Sequence, residues 1–160
     1  MGRLNWREFR DTYMGKRPVV VSRPKVGGIL AFQDVTQVEA LVEGYGDAEV
    51  TLTSGDSYSS DRRRATMAEY LGEVLGGDTT WYLFGDTRGG VWEELESRYP
   101  RPESTQGLDG AISWGMGAQN SGVQFHTHGP AWAEVIHGKK RWFLSQTKPL
   151  FNPHEPMHRW

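Results

Sequence analysis

The residues able to do chemistry lie close together in the last third of the chain. Gln124-Phe125-His126-Thr127-His128-Gly129-Pro130 places two imidazoles two positions apart, and on a β-strand residues at that spacing face the same side. His126 and His128 could therefore share one metal ion. Twelve residues after His126 begins a second block, Gly138-Lys139-Lys140-Arg141-Trp142-Phe143-Leu144. It offers a flexible cation, Lys140, on what reads as the next strand, where the carboxylate of a co-substrate could be held beside that metal. Together the two blocks suggest a non-haem iron site.

Each residue also has a plainer reading. His126 and His128 could be two histidines on a solvent-facing strand, and Lys140 a solvated cation beside Lys139 and Arg141. Glu134 is a further ligand candidate, separated from His128 by five residues. His137 has strand parity opposite to Glu134 and Ile136 and reads as a surface residue. His154 and His158 stand four apart, but Pro153 and Pro156 oppose a regular helix, so they read as loop histidines.

Composition limits the chemistry further. The chain has no cysteine, which removes a disulfide framework, a thiolate metal site and a cysteine nucleophile. A net charge of −2 gives no chain-wide field for nucleic acid or acidic membranes, so neither is expected as a partner. The run Arg62-Arg63-Arg64 reads as a solvated loop before a helix rather than a phosphate-binding patch. No apolar run is long enough to span a bilayer, and the N-terminus shows no apolar signal core. The position that myristoylation requires as Ser or Thr is Trp6. As it stands, the sequence predicts a cytoplasmic or nuclear protein.

The elements that must position the site follow from periodicity. With 160 residues and seven Trp, six Tyr and six Phe, one domain with a substantial core is expected. Leu4, Trp6, Phe9 and Tyr13 predict a helix from Leu4 to Met14, and Val19-Val20-Val21 between prolines predicts a short strand. Val35, Val38, Leu41, Val42 and Tyr45 predict a helix after the Gly27-Gly28 break. Glu49 to Thr53 alternates as a half-buried strand does. Thr66 and Glu69 have capping-box spacing ahead of a helix that ends at Gly76-Gly77. Thr80 to Phe84 predicts an aromatic strand, and Trp92, Leu95 and Tyr99 a helix closed by Pro100. From Ala111 onward, Ile112 to Met116, Val123 and Phe125, Ala133 to Ile136 and Arg141 to Leu144 predict successive strands. The class is α+β, with a late β-barrel or sandwich portion.

Phe125 to Pro130 together with Glu134 to Leu144 resembles the metal strands of the JmjC cupins. Phe9 to Val21 and Thr80 to Asp86 resemble that family's first helix and strand and its aromatic strand. The resemblance implies a double-stranded β-helix, with residues 1–110 as its N-terminal helix and strand portion and 111–160 as its first metal-site strands. It implies iron(II) held by His126, by the residue at 128 and by a histidine from a later strand. The family's usual Asp or Glu at the second position is His128 here, as in one subgroup. Lys140 matches the lysine that pairs with the far carboxylate of 2-oxoglutarate. Because the third ligand would fall beyond Trp160, the chain is expected to be incomplete at its C-terminus, a truncated gene model or fragment.

The implied function is an iron(II)/2-oxoglutarate-dependent dioxygenase, a protein hydroxylase when complete, acting on a protein substrate. Two alternatives stand beside it. One is a catalytically inactive binding or adaptor module that engages a protein partner. The other is a metallocupin that uses His126, His128 and Glu134 without 2-oxoglutarate. The related subgroup also implies the endoplasmic reticulum lumen, if an N-terminal signal is missing from this chain.

Overall fold

The computed structural model describes residues 4–56, 60–77, 79–86, 91–102, 105, 110–119, 121–124, 126, 129 and 131–145. Among the described residues, five helices and four strands follow in the order α1 (Trp6–Thr12), α2 (Gly28–Val35), α3 (Val38–Tyr45), β1 (Glu49–Ser54), β2 (Arg62–Thr66), α4 (Met67–Gly76), β3 (Trp81–Asp86), α5 (Val91–Arg98) and β4 (Ser113–Gly117). The strands form one antiparallel sheet in the order β2-β1-β3-β4. The α+β class expected from the sequence is the class observed.

Strand alternation decides which side of the sheet carries the core. In β1 the burial pattern is exposed, buried, exposed, buried, then continuously buried, and Val50 and Leu52 stand in register with Ala65 of β2 and Leu83 of β3 respectively. Leu83 in turn faces Met116 of β4. Against this row α3, α4 and α5 contribute Leu41, Met67, Tyr70, Leu71 and Leu95, all buried. At about 25 cal/mol per Å² of apolar surface, these side chains are the main source of cohesion.

α4 is the best-specified helix. Thr66 Oγ1 accepts from the Glu69 amide at 3.2 Å, and the Glu69 carboxylate accepts from the Thr66 amide at 2.8 Å, a complete capping box. Gly77 ends the helix in the left-handed region at φ 72°, where a Cβ would be strained. On the inner side of the helix the Tyr70 hydroxyl accepts from the Leu83 amide at 3.1 Å and donates to the Met116 carbonyl at 2.6 Å. The helix is thereby bonded to both β3 and β4.

Four expectations need correction. Arg62-Arg63-Arg64 is not a loop but the body of β2, at the edge of the sheet. Its cations are used locally. Arg63 lies 5.2 Å over the Trp81 ring and pairs with Glu73, and Arg64 pairs with Glu49 at 3.1 Å. Charge on an edge strand also discourages pairing with another chain. Val19-Val20-Val21 forms no strand; Val20 is 97% exposed, and without a neighbouring strand β-branching alone does not hold an extended segment in a sheet.

The helix expected from Val35 begins only at Val38, as α3, and Val35 closes a separate helix. That helix, α2, ends where the Thr36 hydroxyl donates to the Phe32 carbonyl at 2.7 Å, an i−4 bond that competes with continuation. Finally, the alternation over Ala133 to Ile136 and Arg141 to Leu144 predicts two strands, but residues 131–145 make no ladder. Side-chain bonds hold the first of these segments instead, as described below.

Candidate functional site

His126 is exposed and close to a well-anchored neighbour. Its Nδ1 lies 2.8 Å from the backbone carbonyl of Gln124, and because a carbonyl can only accept, Nδ1 carries the proton. The Gln124 side chain is buried, 3% exposed, and its amide donates to the carbonyl of Gly55, just past β1. That turn is itself tied to the sheet, since the Gly55 amide donates to the Thr80 carbonyl at 3.1 Å and the Thr80 hydroxyl donates to Asp56 at 2.8 Å. A Cβ at Gly55 would stand 2.7 Å from the Gly122 carbonyl and 3.1 Å from that of Thr80. Glycine is required there by close approach. Gly122 and Gln124 are thus held against the turn that follows β1.

His128, the other ligand expected from the motif, lies outside the described residues, as do Phe125, Thr127, Pro130, His154 and His158. Among the described residues no three His, Asp or Glu side chains converge in a metal-binding group.

Glu134 has a different occupation. Its carboxylate accepts from Arg23 at 2.9 Å and from the Tyr99 hydroxyl, and the same guanidinium donates to the Pro100 carbonyl. The Arg23 and Glu134 side chains are 26% and 17% exposed, so water competes weakly with the pair. Burial, reinforced by the bond to Glu134, pushes the Tyr99 phenol well above its ordinary range. The ring of Tyr99 is packed between Phe32, centroid at 5.2 Å, and Trp132, at 6.2 Å.

Two more bonds continue this attachment. Gln33 donates to the Ile136 carbonyl at 2.6 Å, and His137 Nε2 lies 2.9 Å from the Thr36 hydroxyl. Since that hydroxyl's proton is directed at Phe32, the imidazole is the donor. His137 is exposed, in keeping with its strand-parity reading. The 134–137 segment is therefore fastened to α2, to the chain before α2 and to the end of α5. Neither Arg23 nor Tyr99 stands out in the sequence as a partner for Glu134; the pairs are 111 and 35 residues apart.

Lys140 follows this fastened segment. Its ammonium sits 4.5 Å from the centroid of the Trp142 ring, a cation–π distance, and burial lowers its pKa. Among the described residues it forms no ion pair with a carboxylate. A cation flanked by an indole face and paired with no carboxylate among the described residues suits an external carboxylate. Imidazole nitrogen at 126 suits a borderline divalent metal. The described residues thus fit a metal and a carboxylate ligand in chemical type.

No helix among the described residues is long and apolar enough to cross a membrane. No family model matches the chain, and no solved structure matches it. Curated proteins do. JmjC domain-containing protein 8 of Homo sapiens is 32% identical over 167 aligned positions, covering 98% of this chain and 62% of the human protein. The Rattus norvegicus and Mus musculus proteins of that name are each 32% identical over 98% of this chain. The chain spans about three fifths of the length of these relatives.

Proposed function

This chain is a relative of the JmjC-domain proteins, and from that premise we propose that it carries part of an iron(II)/2-oxoglutarate-dependent oxygenase site acting on a protein side chain. The finer fold of this reading is the double-stranded β-helix. The observation that carries it is the state of His126: with Nδ1 bonded to the Gln124 carbonyl at 2.8 Å, the ring's coordinating lone pair is on Nε2. His126 and His128 would hold the iron, and Lys140 the far carboxylate of 2-oxoglutarate. Bound iron would supply dioxygen activation coupled to oxidative decarboxylation of the co-substrate. The chain's own residues bind and orient: the Gln124–Gly55 contact fixes the first ligand, and the Glu134 contacts fix the segment leading to Lys140.

Succinate release from 2-oxoglutarate by the full-length polypeptide in the presence of iron(II) tests the proposal. The expected result is release that His126→Ala abolishes and Lys140→Ala reduces. No succinate from folded, iron-loaded protein would reject it.

A second reading, a non-catalytic JmjC module that binds a protein partner, is favoured by one observation. Glu134, the acidic residue nearest the motif, is engaged with Arg23 and Tyr99, while position 128 supplies imidazole where most of the family supplies a carboxylate. Partner capture indifferent to chelator and to His126→Ala is its expected behaviour. A metallocupin using Glu134 as a ligand would first have to break the pair with Arg23, which makes it the weaker alternative.

A further inference from the structure

The contact between Gln124 and Gly55 has a consequence for the chemistry of His126. A free neutral imidazole prefers its proton on Nε2, the nitrogen that faces away from its own backbone. Here the proton is on Nδ1, because the group 2.8 Å away is a carbonyl oxygen. That oxygen belongs to Gln124, a residue with its side chain buried and its amide bonded to Gly55. No secondary-structure ladder holds residues 121–124. The Gln124 side chain grips the turn that leaves β1, and Gly55 is small enough to let Gly122 approach the same turn, so both contacts hold residues 122–124 against it.

We infer that Gln124 is a positioning residue for metal binding: its buried amide fixes the backbone oxygen that keeps the His126 proton on Nδ1 and so presents Nε2 to the metal. The inference rests on the oxygenase reading's assignment of His126 as a ligand. A polar group that orients a ligating histidine from behind contributes about 10–100-fold to metal affinity. The glutamine itself touches neither metal nor substrate.

The test combines cobalt(II) titration with nitrogen-15 NMR of the histidine ring, both on the full chain. Wild-type protein is expected to show His126 protonated at Nδ1 and to bind cobalt(II) with a d–d absorption band that His126→Ala removes. Gln124→Met keeps the length and burial of the side chain but has no donor. It should bind cobalt(II) about 10–100-fold more weakly with an altered band, while its far-ultraviolet circular dichroism stays that of the wild type.

Unchanged affinity and band in Gln124→Met would overturn the inference and leave the oxygenase reading standing. No cobalt(II) binding by the wild type would overturn both. Should Gln124→Met fail to fold, the ring tautomer in the wild type decides: a proton found on Nε2 overturns the assignment, and one found on Nδ1 supports it.

Discussion

The buried amide of Gln124 donates to the carbonyl of Gly55, and this bond joins the residues carrying His126 to the turn that leaves β1. The joint depends on the absence of a side chain at position 55. Gly55→Ala would place a methyl group 2.7 Å from one backbone carbonyl and 3.1 Å from another, and backbone cannot swing away as a long side chain can. The expected cost is about 1–3 kcal/mol, read as a lowered midpoint in urea unfolding, with weakened cobalt(II) binding in the fraction that remains folded.

Tyr70 is a second joint, inside the core. Its hydroxyl bonds both the Leu83 amide and the Met116 carbonyl, so Tyr70→Phe leaves two backbone groups unsatisfied without changing apolar volume. The expected destabilisation is about 1–3 kcal/mol, measured by chemical denaturation at neutral pH.

The same residue gives the protein an alkaline limit. Burial pushes the Tyr70 phenol from 10.0 to about 12, and burial raises Tyr99 as well. A folded-state pKa above the unfolded value means that the folded form holds the proton more tightly. The stability this contributes is complete below pH 10 and is lost as pH rises from about 10 toward 12. Unfolding midpoints measured between pH 9 and 12 should fall across that window, and fall less steeply in Tyr70→Phe.

Glu134 anchors the segment ahead of Lys140 through Arg23 and Tyr99. Glu134→Ala takes the carboxylate from a half-buried guanidinium and a half-buried phenol, and should destabilise the fold by about 1–3 kcal/mol. Cobalt(II) affinity should stay unchanged in the folded protein. A large loss of metal affinity with little loss of stability would identify Glu134 as a ligand and not an anchor.

Burial lowers the pKa of Lys140, so its ammonium loses the proton at a lower pH than an ordinary lysine. If it holds 2-oxoglutarate, binding of that dianion is strongest while the lysine is charged and weakens as pH rises through the lowered pKa. Lys140→Arg should keep 2-oxoglutarate binding to higher pH, since guanidinium stays charged. Isothermal titration at stepped pH distinguishes the two proteins, and identical pH dependence would remove Lys140 from the site.

Local chemistry made part of this protein legible in its sequence. The helix at Met67–Gly76 was readable because Thr66, Glu69 and Gly77 form its caps with their own neighbours. The β1 strand and the alternation of Trp114 and Met116 in β4 were readable because period-two patterning is written residue by residue, and β3 because its aromatic run favours a strand. For His126 and Lys140, residue type and spacing suffice to name a possible ligand. Arg62-Arg63-Arg64 was misread because a cationic edge strand and a cationic loop have the same composition, and only pairing with β1 separates them.

Tertiary structure decided which groups those residues meet. Whether Glu134 meets a metal or an arginine depends on Arg23, 111 residues away, and whether His126 is oriented depends on Gln124 reaching Gly55 across 69 residues. No periodicity records such meetings. The sequence by itself determined the local conformations and the kinds of chemistry available; the packing of the chain determined which donors and acceptors met, because a long-range hydrogen bond is set by the whole path between its partners.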